Sequence, residues 1–214
     1  MVLGDRELHA ATVVARRGER GESGLHAARA FCRQMCESPR PAVTLYGSND
    51  WYYAYGQNTA DQIVRDAELM ASLAPARGPR PFTVVDDGWE ENPQAYPDMA
   101  ALASHIRGHH VRPGLWIRPV LATAETPAEL LLPGARFGKG ATGSGDPAFD
   151  PTVPEALEHI LARVSQATGW GYELIKHDFS TYDLLGQWGF EMHAQPTLPG
   201  WSFHDRSRTN AEII

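Results

Sequence analysis

Acidic, basic and aromatic residues follow four separate apolar segments of this 214-residue chain. Aromatic faces stack on the C–H face of a pyranose, and carboxylates accept hydrogen bonds from its hydroxyls. Together these residue types indicate a site for a neutral sugar. In chain order, the four groups are Asn49, Asp50 and Trp51; Asp86, Asp87 and Trp89; Trp116 and Arg118; and Lys176 and Asp178.

Lys176 and Asp178 stand two residues apart at the end of the last apolar segment. Alternate residues of a strand point to the same face, so the two side chains should lie together if the strand continues through Asp178. A lysine ammonium beside Asp178 favours the charged carboxylate, as a nucleophile requires. Asp178 is therefore the candidate catalytic nucleophile, and Lys176 could also donate to a sugar hydroxyl.

The adjacent acids Asp86 and Asp87 follow an apolar segment and precede Gly88, where the chain should turn. Two neighbouring carboxylates can hold neighbouring sugar hydroxyls by charge-assisted hydrogen bonds. Taken alone, an Asp-Asp-Gly run is an ordinary turn signal, and a lone Lys-x-Asp is more often a solvated charge and a helix cap. The ordered series of similar segment ends favours the binding site.

The elements that must position these residues alternate between strand and helix. The predicted strands are residues 43–46, which lead into a Gly47 to Trp51 turn, and residues 81–85, 112–117 and 172–177; the predicted helices are residues 59–73, 98–106 and 153–168. In the last of these helices the predicted apolar face consists of Ala156, Leu157, Ile160, Leu161 and Val164. The alternation of strands and helices predicts a parallel sheet with its site at the carboxyl ends of the strands. A doubly wound sheet alternates in the same way, but the sequence has no Gly-rich phosphate-binding turn.

The predicted fold class is α/β, a partial (β/α)8 TIM barrel of about four βα units. Residues 120–150 are predicted as a long loop, too polar and broken to join a core, and long loops after strands favour a barrel over an open sheet. Thr209 to Glu212 match a capping box, so a helix should begin there, about one turn before Ile214. We therefore expect either a piece of a longer protein or two half-barrels that assemble as a homo-oligomer.

The ordered motifs between about residues 43 and 182 resemble the catalytic barrel of glycoside hydrolase clan D. The resemblance is closest to the bacterial alpha-galactosidases and raffinose-synthase-like relatives of family 36. The motifs are Gly47-Ser48-Asn49-Asp50-Trp51, Val84-Val85-Asp86-Asp87-Gly88-Trp89, Pro97-Asp98-Met99, Pro113-Gly114-Leu115-Trp116 and Ile175-Lys176-His177-Asp178.

The resemblance implies a role for each matching residue. Asp178 matches the nucleophile, Lys176 a sugar-binding lysine, and Asp86 with Asp87 the pair that holds the axial and primary hydroxyls of galactose. Trp51 and Trp116 match aromatic walls, and we add Asn49 and Trp89 as further candidate substrate-binding residues. The family often has Trp at the position of Ser48 and an aromatic residue at that of His177, which leaves the aglycone and the exact sugar open.

The function implied is a retaining glycoside hydrolase that cleaves terminal alpha-linked galactose by double displacement. Retaining enzymes need two carboxyl groups about 5–5.5 Å apart, and the family's acid/base is an aspartate of a later strand. The isolated chain should therefore turn over little or no substrate. The alternatives are a galactosyl-transferring relative, which would share these residues, and a non-catalytic half-barrel or sugar-binding remnant.

Composition limits the other function classes. A net charge of −7 without a strong basic cluster argues against a nucleic-acid partner. Residues 1–30 lack an apolar run long enough for a signal peptide or a membrane helix, so we expect no membrane association and a cytoplasmic location. The pair His105 and His109 lacks a third ligand, so no metal and no cofactor are expected. Residues 1–40 are predicted as a linker with one helix, Gly24 to Cys36, and residues 41–214 as the half-barrel.

Overall fold

The chain divides into two compact units, which we describe separately from a computed structural model. The structure describes residues 6–7, 11–36, 38, 44–137, 146–186 and 197–213. The smaller unit spans Leu3–Thr44, and the larger unit contains Leu45–Ile214. The predicted domain boundary near residue 40 stays a prediction.

One helix, α1 (Gly24–Met35), dominates the described part of the smaller unit. The side chain of Ser23 caps it by accepting a hydrogen bond from the amide of His26. The helix was predicted over Gly24 to Cys36 and is confirmed to within one residue. None of its residues is buried, and Cys32 and Cys36 are exposed free thiols.

The larger unit is built on a four-stranded parallel sheet. Its strands are β1 (Gly47–Asn49), β2 (Phe82–Val85), β3 (Arg112–Ile117) and β4 (Leu174–His177), in the order β1-β2-β3-β4. The sheet confirms the predicted α/β class with parallel strands in sequence order. Closure into a barrel and the number of βα units in the whole fold stay predictions.

The first strand lies later in the chain than predicted. Residues 43–46 were predicted as the strand and Gly47 to Trp51 as a turn, but β1 consists of Gly47–Asn49, and Leu45 is largely exposed. Residue 43 lies outside the described residues. The prediction was wrong because Gly47 was treated as a turn residue. A Cβ at position 47 would lie 1.9 Å from the carbonyl oxygen of Phe82, so Gly47 permits a close approach of two strands.

Helices follow the strands and cover the sheet. The longer ones are α3 (Ala60–Leu73), α4 (Met99–Gly108) and α5 (Pro154–Gly169); α2 (Trp51–Ala54), α6 (Ser180–Leu185) and α7 (Asn210–Ile213) are short. Thr59 caps α3 and Asp98 caps α4 through side-chain oxygens. The core beneath the site packs the buried faces of α3 and α4 against β2 and β3.

Helix α5 is confirmed in extent, and its predicted apolar face is confirmed in part. Ala156 is buried, and Ile160 and Val164 pack against the core clusters. Leu157 and Leu161 were expected to be part of an apolar core face, yet 41% and 54% of their surfaces are exposed. The residues that α5 buries fully are Ala156 and Ala167. The prediction followed helical spacing alone, which identifies an apolar stripe but not the element that covers it.

The described parts of the segment between β3 and α5, residues 120–137 and 146–150, contribute to the core, contrary to the prediction for residues 120–150. Its apolar side chains belong to two buried clusters, with Val120 and Leu132 in one and Leu130 and Phe149 in the other. Two antiparallel bridges, Leu121 with Ala148 and Leu131 with Phe149, tie the ends of the segment together. The high Pro, Gly and Thr content hid these widely spaced apolar positions.

The helix predicted to begin at Thr209 is present as α7 (Asn210–Ile213), with the Glu212 half of the predicted capping box at its start. The side chain of Glu212 accepts a hydrogen bond of 2.7 Å from the amide of Thr209, as such a box requires. Within the described ranges, no helix combines the length and apolar character needed to cross a bilayer.

Candidate active site

A cleft of about 170 Å³ opens where the four strands end. Its lining residues are Trp51, Asp86, Asp87, Trp116, Lys176, Asp178 and Phe179. All of these except Phe179 were predicted from the sequence as site residues. Larger surface clefts of about 360 and 400 Å³ lie elsewhere, but neither is lined by these strand-end residues. The parallel register therefore brings the predicted groups together.

The carboxylate of Asp178 accepts a hydrogen bond at each of its two oxygens and remains partly exposed. Its Oδ2 accepts a hydrogen bond of 3.0 Å from the indole Nε1 of Trp116, and its Oδ1 accepts one of 2.8 Å from the amide of Phe179. Although β4 ends at His177, the amide of Asp178 still donates to the carbonyl of Ile117 at 3.1 Å. The side chain is 30% exposed, so its orientation is fixed while a ligand can still reach it.

Lys176 lies between two carboxylates of the cleft. Its Nζ is 2.6 Å from Oδ2 of Asp86 and 3.9 Å from Oδ2 of Asp178. The Lys176 and Asp178 side chains therefore lie together as predicted, although β4 ends at His177 and does not continue through Asp178. The ammonium balances part of the negative charge that the acidic residues place here.

Asp86 is almost fully buried beneath the cleft, with 2% of its side chain exposed. Besides Lys176, its Oδ2 accepts a hydrogen bond from the side-chain amide of Asn49, and its Oδ1 accepts one of 2.9 Å from the amide of Asp87. Asn49 in turn accepts from the amide of Trp51 at 3.0 Å. Asn49 thus acts on the site through Asp86 and does not line the cleft.

Asp87 is half-buried and lies nearer to the opening. Its Oδ1 accepts a hydrogen bond of 2.9 Å from the amide of Gly88. Burial raises the pKa of Asp87, and the negative charges of Glu91 and Asp86 raise it further, against the opposing effect of Arg118. Asp87 is therefore the acid of this pair that a hydroxyl-rich ligand reaches most easily.

Asp50, which the sequence places among the strand-end groups, does not line the cleft. Only 1% of its surface is exposed, and its carboxylate accepts hydrogen bonds from the amide of Asp86 and from the side chain of Asn58. Burial raises the pKa of Asp50, while these hydrogen bonds oppose the rise. The sequence carries no signal for Asn58, which lies in a loop before α3.

Trp89 lies behind the cleft wall. Its Nε1 donates a hydrogen bond of 2.9 Å to the carbonyl of Trp116, and its ring meets that of Trp170 edge to face at 5.8 Å. Trp89 also packs against the main core. Trp89 therefore supports the end of β3 that carries Trp116. Its contact with a substrate stays a prediction.

Phe179 is the lining residue that sequence reasoning missed. It adopts a left-handed backbone conformation with φ of 62°, which is rare for an aromatic residue. Its ring packs edge to face with Trp116 and lies 4.7 Å from the guanidinium of Arg118. The turn at Phe179 directs its amide toward Asp178, and such strain is common at functional sites.

Arg118 is turned away from the cleft lining and toward Asp183. Its Nε and one terminal nitrogen donate to the two carboxylate oxygens of Asp183 at 2.8 and 2.5 Å. Burial raises the pKa of Asp183, and the hydrogen bonds from Arg118 oppose the rise. Arg118 therefore reaches the site through the ring of Phe179.

The described residues contain no group of three or more His, Cys, Asp or Glu side chains arranged to hold a metal ion. What the cleft does offer is one accessible carboxylate with two N–H donors, an acidic pair, an ammonium group and two indole rings. This set can bind a polyhydroxylated ring and present a carboxylate to one of its carbons.

No protein-family model matches the sequence, and no curated protein matches it. Solved structures do match. The alpha-galactosidase from Thermus thermophilus in complex with p-nitrophenyl alpha-D-galactopyranoside is 26% identical, with a TM-score of 0.58, over 74% of this chain and 35% of that one. The same enzyme with stachyose matches at 27% identity and a TM-score of 0.51, over 70% and 35%.

A second similar structure is the alpha-galactosidase from Lactobacillus brevis. It is 17% identical with a TM-score of 0.51, over 64% of this chain and 20% of that one. At this identity the likeness concerns the fold alone. The chain thus spans between about a fifth and about a third of the length of the structures compared here.

Proposed function

We propose that this chain, which has a GH36-like alpha-galactosidase fold, carries the nucleophile and the sugar-binding residues of a retaining alpha-galactosidase. Its structural neighbours are glycoside hydrolases, which supports a glycosidase of some kind. The observation that carries the proposal is Asp178 at the strand ends. Its partly exposed carboxylate is oriented by Trp116 and Phe179 and shares one cleft with Lys176.

The cleft would bind the terminal galactose of an alpha-galactoside. Asp86 and Asp87 would accept hydrogen bonds from its hydroxyls, and Lys176 would donate one, so the existing Lys176 to Asp86 contact would be shared with the sugar. Trp51 and Trp116 would pack against the ring faces. At about 170 Å³ the cleft is smaller than the roughly 300–1,000 Å³ typical of drug-sized ligands, which favours one sugar unit with the aglycone extending outside.

In the chemical step an oxygen of Asp178 would attack the anomeric carbon. The bond from that carbon to the leaving oxygen would break, and its electron pair would depart with the leaving group, which must then be protonated. Asp86 and Asp87 are assigned to hydroxyl binding, and Asp183 is buried against Arg118. Protonation is therefore assigned to a residue outside this cleft, so galactosides with poor leaving groups should react little or not at all with the isolated chain.

Alpha-galactosyl fluoride tests the nucleophile without requiring that acid. Fluoride departs without protonation, so attack by Asp178 would leave a galactosyl ester on the protein. Water would hydrolyse this ester slowly where no base assists. Intact-protein mass spectrometry should show the mass of the chain plus one galactosyl group, and Asp178→Asn should abolish the adduct.

Binding is measured in parallel, by titrating galactose into the ¹⁵N-labelled chain and following its amide resonances. We expect a dissociation constant on the order of millimolar, with the shifts confined to residues of the cleft. Binding without an adduct would favour a sugar-binding remnant over a hydrolase. Neither binding nor an adduct would contradict the proposed function altogether.

A further inference from the structure

We propose that Asp50 and Asn58 are positioning residues, which hold the backbone of Asp86 and Asp87 so that both carboxylates are presented to the sugar. The inference rests on the proposed function in that it takes the ligand of these acids to be a galactoside. Neither Asp50 nor Asn58 lines the cleft. Their effect on the ligand would pass entirely through the Asp86 and Asp87 backbone.

Asp50 is a buried carboxylate that the proposed chemistry does not use. It is 1% exposed, and its Oδ1 accepts a hydrogen bond of 2.8 Å from the amide of Asp86. Its Oδ2 accepts one from the side chain of Asn58. In the described part of the chain no Lys or Arg forms an ion pair with Asp50. A buried charge without a cation is costly unless hydrogen bonds compensate it, so these two donors carry that task.

Asn58 joins Asp50 to the carbonyl groups of the acidic pair. It is 1% exposed, and its Nδ2 lies 3.2 Å from the carbonyl oxygen of Asp87 and 3.4 Å from that of Asp86. Its Oδ1 accepts a hydrogen bond of 2.6 Å from the hydroxyl of Tyr96. Burial raises the pKa of Tyr96, which keeps this hydroxyl protonated and donating. The orientation of the Asn58 amide is therefore fixed.

Asp50, Asn58 and Tyr96 form a connected network, which we call the buried bracket. The bracket contacts three backbone groups, the amide and carbonyl of Asp86 and the carbonyl of Asp87. With this backbone held in place, Oδ1 of Asp86 accepts a hydrogen bond from the amide of Asp87. Oδ2 of Asp86 is then oriented toward Lys176, whose Nζ lies 2.6 Å away. The geometry of the cleft acids thus depends on groups that a ligand never touches.

The central variant is Asp50→Asn. The oxygen of the new side-chain amide at position 50 can still accept the hydrogen bond from the backbone amide of Asp86. Its NH₂ group, however, faces the NH₂ group of Asn58, and two donors cannot bond to each other, so the bracket should open. We expect the amide proton resonance of Asp86 to move upfield, since it loses a charged acceptor. We also expect the galactose dissociation constant to rise about 10-fold or more, as for loss of a hydrogen bond to a charged group.

The double variant Asp50→Asn with Asn58→Asp separates positioning from folding. It restores a donor and acceptor pair between positions 50 and 58, but it places a carboxylate against the carbonyls of Asp86 and Asp87. Thermal stability should recover in part while galactose affinity stays low. Recovery of affinity together with stability would overturn the inference, because it would show that these residues matter only for folding.

Two further variants keep the test decisive. Tyr96→Phe removes only the hydroxyl that fixes Asn58, so it should fold and still weaken galactose binding several-fold. Asp98→Ala is the matched control. The side chain of Asp98 also accepts a hydrogen bond from a backbone amide, but it does so at the start of α4, outside the cleft lining. It should lower the unfolding temperature without changing galactose affinity.

The outcomes separate this inference from the proposed function. If the unaltered chain shows neither galactose binding nor a galactosyl adduct, the proposed function fails. The bracket is then still judged by the Asp86 and Asp87 amide resonances and their hydrogen exchange. If Asp50→Asn and Tyr96→Phe leave those resonances unchanged and galactose affinity within twofold of the unaltered chain, the bracket does not position the acids.

Discussion

At the residue scale, the cleft is distinguished by how its charges are arranged. A single ammonium, that of Lys176, lies between Asp86 and Asp178. Asp86 is buried and Asp178 is partly exposed, so two carboxylates with different environments share one cation. Chemically similar groups given different surroundings can take different roles, and the roles proposed here are hydroxyl binding for Asp86 and nucleophilic attack for Asp178.

Lys176→Met should abolish most galactose binding. The variant removes the ammonium and leaves Asp86 buried without its ion pair, and loss of a charged hydrogen bond contributes about 1.5–3 kcal/mol. We expect at least a 10-fold rise in the dissociation constant, measured by amide shifts in the titration. Arg112→Met is the control, since Arg112 pairs with Glu173 at the exposed opposite end of the sheet, where ion pairs contribute little. Equal affinities for the two variants would refute a binding role for Lys176.

The raised pKa of Asp87 links stability to pH. Since its folded-state pKa lies above the ordinary value, the ionised form is disfavoured by folding, and stability falls as pH rises through that range. Asp87→Asn should therefore be more stable than the unaltered chain at neutral pH. The difference between the free energies of unfolding of this variant and the unaltered chain should shrink as the pH falls below the ordinary pKa of an Asp side chain. Urea unfolding at several pH values measures it, and a difference that is constant with pH would contradict the assignment.

The sequence predicted the charged residues of the site well and their supports poorly. Asp86 and Asp178 directly follow strands and Lys176 lies within β4, so strand periodicity indicates which way they point. Asn58 and Phe179 carry no such pattern, because an Asn in a loop and an aromatic residue after a strand are common. Their roles depend on the fold, which brings Asn58 under the Asp86 backbone and turns the Phe179 amide toward Asp178.

At the element scale, parallel register does most of the positioning. Asn49 pairs with Val84, and Trp116 pairs with Lys176, so the residues that follow neighbouring strands emerge at one edge. This could be predicted from the alternation of strands and helices. The start of β1 could not, because Gly47 suits either a turn or a close approach of strands, and only the position of Phe82 decides between them.

The turn after β2 depends on Gly88. Its φ is 108°, and a Cβ there would lie 2.4 Å from the carbonyl oxygen of Gly56. Gly88→Ala should lower stability by roughly 1–3 kcal/mol from backbone strain alone and should also displace Asp87. Chemical unfolding together with the galactose titration checks both effects.

Gly108→Ala is the matched control for that substitution. Gly108 ends α4, and a Cβ there meets nothing within 4 Å. Since Ala is favoured over Gly in helices, this variant should be as stable as the unaltered chain or more so, with galactose affinity unchanged. If both alanine variants behaved alike, the close contact at Gly88 would have no consequence.

At the scale of the whole molecule, the larger unit has a sheet edge and a helix face that the described residues leave uncovered. Within the described residues, β4 pairs only with β3, and Leu157 and Leu161 of α5 are exposed. An unpaired strand edge and exposed apolar side chains are each features against which another segment or chain can pack. Helical spacing predicted the apolar stripe of α5, but what covers it depends on structure outside the four strands.

Hydrogen exchange should therefore be uneven across the sheet. The residues of β2 are buried throughout and those of β3 nearly so, whereas β4 is only partly buried. Local opening follows burial and pairing, so we expect the amides of β2 and β3 to exchange much more slowly than those of β4.

Exchange followed by NMR at two protein concentrations also tests self-association. If the protection of the β4 amides rises with protein concentration, a second copy of the chain covers the β4 edge. If the β4 amides are as protected as those of β3 even at high dilution, the β4 edge is already stabilised within a single copy, and the expected difference is contradicted.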